Sequence, residues 1–248
     1  MKLLRKLRRK LIDAGKFKSY ALYALGEIIL IVIAVSIAWK INDLNDIRKN
    51  NLAEDKIYIN LNKELDTNLR LIQRIIEEDT EKVIYLENTL NYVGKTSSEL
   101  TQFAKDSIIN IADKEFDLQD SSINSIVSTS KLERIGSTKL KDLIATYLYK
   151  IDMFKTQDDQ IKAIVSDKIK PILEKHISLV DLLSDDDIKY QYVKTHAVKS
   201  NYSALLANKE YQNSLIDRLL LTQNRLDVAR TIRGKTKILI SHLNQELN

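Results

Sequence analysis

The chain has no cysteine, one proline and five glycines among 248 residues. Without cysteine there are no disulfides and no thiolate chemistry, whatever the compartment. So few turn-forming residues imply long helices, and the expected fold class is all-α. Histidine is nearly as scarce: His176, His196 and His242 stand alone, and none has a second histidine at the i+3 or i+4 spacing of a helical metal pair. A glycine-rich phosphate loop, a nucleophile elbow and the Glu-x-x-His pair of di-iron bundles are all absent. No enzyme, no cofactor and no metal is therefore expected.

The net charge is +5. Residues 1–19 carry Lys2, Arg5, Lys6, Arg8, Arg9, Lys10, Lys16 and Lys18 against Asp13 alone, a balance of +7, which leaves −2 for the other 229 residues. A nucleic-acid-binding body would show a dense basic cluster in that remainder, and the linear sequence has none, so no nucleic-acid partner is expected. Leu4, Leu7 and Leu11 recur at helical spacing within the basic segment. Lys2, Arg5, Lys6, Arg8, Arg9 and Lys10 are thus placed either to hold a short interfacial helix on anionic lipid headgroups or to act as a plain topology signal.

Next comes "SYALYALGEIILIVIAVSIAWK", residues 19–40. Tyr20 to Trp39 is about 30 Å long as a helix, the thickness of the hydrocarbon core. The positive-inside rule keeps the N-terminus in the cytoplasm and sends everything after Trp39 across the membrane, with Tyr20, Tyr23 and Trp39 as interfacial aromatics. Ser36 and Ala38 would suit a signal-peptide cleavage site, but the apolar run exceeds the ~7 to 15 residues of such a region and its helical pattern continues beyond. An uncleaved anchor is the expectation.

Glu27 interrupts this run. Ile28 to Trp39 spans only about 18 Å, too short to cross alone, so Glu27 belongs inside the span. An ionised acid at depth costs several kcal/mol, so this one should be paired or neutral. Tyr23, Gly26, Glu27, Ala34 and Ala38 form a candidate intramembrane association face, in which Ala34 and Ala38 make a small-xxx-small step. The alternative is that Glu27 snorkels or hydrogen-bonds Tyr23 within a single helix.

The basic N-terminus followed by "YALYALGEIILIVIAVSIAWKINDLND" resembles a family of bacterial single-pass membrane proteins, a domain of unknown function found mainly in Bacteroidota. Its members carry a "YAIGEI" entry to the span and an "INxWN" exit; here the exit reads "INDLN", with Leu44 at the aromatic position. Residues 122–148 and 205–220 are similar to the family's central and C-terminal stretches. The likeness covers most of the chain, and its membrane motif is the specific part. It implies no activity or site residues, and it implies a Gram-negative envelope with the C-terminal domain in the periplasm.

Beyond the span, Asn51 and Glu54 could cap a new helix, which makes Asn50–Asn51 the expected hinge. Leu69, Ile72, Ile76, Asp79, Val83, Leu86, Leu90 and Val93 alternate in steps of three and four up to Gly94, a coiled-coil-like seam. Thr96 and Glu99 suggest a capping box, and a short helix is expected from about Ser122 to Glu133. The seam repeats at Leu140, Ile144, Tyr147, Ile151, Phe154, Asp158, Ile161 and Val165, with Pro171 kinking the helix rather than ending it. "SDDD", residues 184–187, suggests a further N-cap. The last helix is expected from about Asn208 to Leu247, with a broad stripe through Leu215, Leu219, Leu226, Ile232, Leu239 and Leu243.

The resulting organisation is a cytoplasmic basic segment over residues 1–19, a transmembrane helix over 20–41, a juxtamembrane helical stalk over 42–68 and a periplasmic bundle over 69–248. The bundle should be elongated and antiparallel, with three to four long helices and short accessory ones. Asp79 and Asp158 occupy seam positions, either as a paired acidic site or as polar residues that fix register or admit water. Two functions fit: an inner-membrane interaction or scaffold protein that associates with itself or with a partner membrane protein, or a ligand-sensing ectodomain that signals through a partner subunit.

Overall fold

The computed structural model describes residues 17–112, 114, 116–183 and 188–247, and helix is the only regular structure among them. Helix α1 spans Phe17–Leu90, α2 Gln102–Ile109, α3 Ser121–Val127, α4 Thr138–Ile164, α5 Lys170–His176, α6 Gln191–His196, α7 Tyr202–Ala207 and α8 Lys209–Leu247. The basic residues Lys2 to Lys10 and the "SDDD" run lie outside the described residues. The chain divides into two compact units, with the boundary between Lys56 and Ile57.

In the first unit α1 is unbroken through Asn50 and Asn51, where the sequence had suggested a hinge. No Gly or Pro interrupts it there. Pairs one turn apart, Lys40–Asp43 at 3.8 Å, Asn42–Asp46 at 3.3 Å and Lys49–Asp46 at 3.7 Å, support the helix as it leaves the apolar segment. The backbone donors that Asn51 would have capped are used within the helix itself.

The second unit packs three long helices: α1 from Ile57, α4 and α8. Asn62 Nδ2 donates to Asn244 Oδ1 at 2.8 Å and Arg233 to Gln73 Oε1 at 3.0 Å, so α8 runs antiparallel to α1. Asn68 Nδ2 donates to the Tyr147 hydroxyl at 3.1 Å, and Asp79 and Asp158 share one arginine, so α1 and α4 run parallel. The long connection between them must therefore return along the bundle, which it does through α2, the non-helical residues 110–112 and 116–120, and α3. The bundle also begins earlier than the sequence pattern suggested. Tyr58, Leu61 and Leu65, assigned to the stalk, are buried, while Val93 at the other end of the expected seam is 40% exposed.

Helix α4 buries Leu140, Ile144, Tyr147, Ile151, Phe154, Asp158 and Ile161 on one face, as the pattern indicated. Helical structure continues past Pro171, through a π-helical turn at Val165–Ile169 into α5. The wide turn accommodates the missing amide of the proline. Thr96 and Glu99 make only half of a capping box: the Thr96 amide donates to Glu99 Oε2 at 2.7 Å, but the Glu99 amide donates to the Thr96 carbonyl at 3.0 Å and closes a turn. The helix itself starts at Gln102, capped by the Thr101 hydroxyl. The stretch expected as one helix over 122–133 is α3 followed by a 3₁₀ turn, Ser130–Arg134.

Two apolar clusters fill this unit. One joins Tyr58 to Ile76 of α1 with α3, α4 and the C-terminal half of α8; the other joins Leu86 with α2, α5, α7, Tyr211 and Leu215. The residues between them on the long helices are polar: Asp79 on α1, Asp158 on α4, and Arg218, Thr222 and Arg225 on α8.

Candidate functional site

Two arrangements could carry function, one in each unit. In the first, one helix among the described residues is long and apolar enough to cross a membrane, and none of its apolar window is buried. Apolar side chains from Leu22 to Trp39 are largely exposed, a surface that water does not tolerate on this scale. Tyr23 and Glu27 are half-buried on this surface, while Gly26, Ala34 and Ala38 are exposed. A Cβ added at Gly26 would meet nothing within 4 Å, so the backbone there is open to a close neighbour. The Tyr23 hydroxyl is shielded and makes no hydrogen bond, so it does not hold the Glu27 carboxylate. Among the described residues nothing pairs with Glu27.

In the second unit, Arg225 is 2% exposed and lies between the two seam carboxylates. Its Nε donates to Asp79 Oδ2 at 3.0 Å and its Nη2 to Asp79 Oδ1, a bidentate pair, while Nη1 donates to Asp158 Oδ1. Lys162 Nζ reaches the other oxygen of Asp158 at 2.9 Å, and the guanidinium carbon stands 6.0 Å from the centre of the Phe154 ring. Two carboxylates, a guanidinium and an ammonium balance in charge, as burial requires. The sequence brought out both acids and missed their partner.

Grooves of about 350 and 460 Å³ open beside this triad, the first lined by Asp79, Lys82, Lys114 and Arg225 among others, the second by Phe154, Asp158 and Lys162. Phe116, from the extended connection, lines both. That connection is tied down along its length. Lys82 Nζ donates to the Ala112 carbonyl at 2.7 Å, Lys114 pairs with Glu78, and Asn68 takes both the amide and the carbonyl of Gln119, at 2.8 and 2.6 Å. Burial raises the pKa of the Tyr147 hydroxyl, which lies between Asn68 and Thr236, and so keeps it neutral.

Glu64 completes the strap. It is 5% exposed and accepts from the backbone amides of Ser122 at 2.6 Å and Ile123 at 3.3 Å, and from the Ser121 hydroxyl at 3.2 Å. The first turn of α3 is thus capped by a carboxylate from another helix. Asp120, at the N-cap position itself, makes no cap bond because Lys155 holds its carboxylate at 2.6 Å.

The His196 ring stacks on Tyr192 with centroids 4.3 Å apart. Among the described residues no group of three or more His, Asp or Glu side chains is placed to hold a metal ion. Compared with known proteins, the chain matches no protein-family model, no curated protein and no solved structure.

Proposed function

We propose that this is a membrane-anchored interaction protein in which the apolar segment of α1 spans the inner membrane and associates laterally through Tyr23, Gly26, Glu27, Ala34 and Ala38. The observation that carries this reading is Glu27, a carboxylate within a lipid-length apolar surface with no partner on its own helix. In a bilayer such a group is stabilised by a donor from a neighbouring helix, and the open backbone at Gly26 lets one approach. The neighbour is a second copy of this chain or a partner membrane protein. The +7 segment keeps the N-terminus cytoplasmic, against anionic headgroups, and the bundle periplasmic. The resemblance of the membrane motif to the single-pass Bacteroidota family agrees with that placement.

Two differently tagged full-length copies, co-expressed in bacterial membranes, test this reading. The chain should remain in the membrane after alkaline carbonate extraction, and each copy should capture the other or a common membrane partner. Glu27→Leu should leave extraction unchanged and reduce capture about fivefold or more, the loss of one interhelical polar contact of 1–2 kcal/mol. Release by carbonate, or full capture by the Glu27→Leu chain, contradicts the proposal. A reporter fused after Asn248 should be active only in the periplasm.

A second reading, a ligand-sensing ectodomain, is favoured by the charged grooves that open on the Asp79–Arg225–Asp158 triad. A ligand seated there would touch Phe116 and the strap and so act on the packing of α1 against α4.

A further inference from the structure

A third groove, of about 580 Å³, lies between α1 and α8 and is lined by Leu69, Arg70, Gln73, Arg74, Arg233 and Lys237. We propose that it binds an anion carrying two or more phosphate groups.

Four of its six lining residues are cations and none is an acid. Among the described residues, none of the four forms an ion pair. Some other cations of the same unit do have acidic partners: Lys114 with Glu78, Lys155 with Asp120, Lys162 with Asp158 and Arg230 with Asp227. The cluster is not a by-product of a basic protein, because the chain beyond residue 19 sums to −2. Its charge is concentrated by folding, since α1 and α8 each contribute two cations from opposite ends of the sequence.

Arg70 and Arg74 are one helical turn apart, as are Arg233 and Lys237 on the antiparallel neighbour. The groove therefore offers two steps of positive charge about 6 Å apart along its length. That repeat suits linked phosphate groups better than a single one, and guanidinium groups can engage phosphate oxygens two at a time. Part of the site is already held in place. Arg233 donates to Gln73 Oε1 at 3.0 Å, and Gln73 in turn donates to Glu77 Oε1 at 2.8 Å. Arg74 and Lys237 remain exposed to solvent and open to a ligand. The groove is shallow, which favours a headgroup or a free oligophosphate over an enclosed small molecule.

The test uses the full-length chain in an uncharged detergent, titrated by calorimetry with inorganic tripolyphosphate and, separately, with the deacylated glycerophosphate headgroup of a bis-phosphate phospholipid. At least one should bind with one-to-one stoichiometry, and the affinity should fall as salt rises. Arg74→Gln combined with Lys237→Gln should weaken binding about tenfold or more, because charge-assisted contacts to phosphate are lost. Lys139→Gln combined with Lys175→Gln removes the same charge from exposed sites elsewhere and should leave affinity unchanged. Helicity by circular dichroism should be the same for the native chain and for both double variants. Preference for the headgroup assigns the site to lipid, and preference for tripolyphosphate assigns it to a soluble anion. If neither binds, or if both double variants lose affinity equally, the groove is not an anion site.

Discussion

Arg225→Met should lower the stability of the bundle by about 3 to 5 kcal/mol, the cost of removing one partner from a buried, hydrogen-bonded ion pair. For a domain of this size that is a fall in melting temperature of about 10 °C. Asp79 loses both bonds of its bidentate pair at a position where it is itself only 1% exposed. Asp158→Leu should cost less than Asp79→Leu, because Arg225 then keeps both of its bonds to Asp79, whereas removing Asp79 strips it of two. Replacing all three charges together, by Asp79→Leu, Asp158→Leu and Arg225→Met, should bring stability back to the native level or above it, since such triads repay their desolvation poorly. Urea melts of the full-length chain in uncharged detergent would measure each step. An Arg225→Met loss of under about 1 kcal/mol would mean that the triad is not buried and bonded as described.

The triad lies between two apolar clusters, a position from which it should also fix register. A shift of α8 by one turn would set Thr222 or Ala229 against the two carboxylates, and neither residue can satisfy them.

Glu64→Ala should cost about 3 kcal/mol, because it removes a carboxylate that receives three donors at the start of α3. The loss should be local before it is global. Amide exchange at Ser122 and Ile123 should accelerate first, followed by the whole of α3, because Asp120 is held by Lys155 and cannot take over the cap. Glu64→Gln keeps one acceptor oxygen but turns an amide toward backbone donors, so it should recover less than half of the loss. Unchanged exchange at Ser122 and Ile123 in the Glu64→Ala chain would contradict the capping role.

The all-α class, the buried seam of α4 and the limits of α8 were readable because those helices are long, strongly periodic and free of breakers. The core face of α8 was legible only in part: Leu215, Leu226, Ile232, Leu239 and Leu243 are buried as the stripe indicated, but four of the ten seam residues are polar. Tyr211, Leu215, Arg218, Thr222, Arg225, Ala229, Ile232, Thr236, Leu239 and Leu243 follow the same three-and-four alternation as the other two seams, and all are buried. A search for apolar residues alone passes over Arg218 and Arg225 and picks up Leu219, which is less buried. Two arginines seven residues apart on one helix, against one aspartate in each facing seam, was the available signal. Thr222 and Thr236 fit the interior because their hydroxyls bond to carbonyls one turn back, each at 2.8 Å.

The parallel arrangement of α1 and α4 was hidden for a different reason. It depends on a connection with little periodicity, held by side chains such as Asn68 and Glu64 from a stretch read as stalk. The cation groove was equally out of reach, since no part of the linear sequence brings Arg74 near Arg233.

The central claim, that the apolar part of α1 associates through its Glu27 face inside a membrane, is open to a direct measurement because the native chain has no cysteine. Ala34→Cys places one thiol on that face, and Val32→Cys places one on the opposite side of the same helix. Oxidative cross-linking in native membranes should give a discrete dimer or partner adduct from position 34 and little from position 32, and adding Glu27→Leu should weaken the adduct. Equal adducts from both positions, or none from position 34, would contradict the claim.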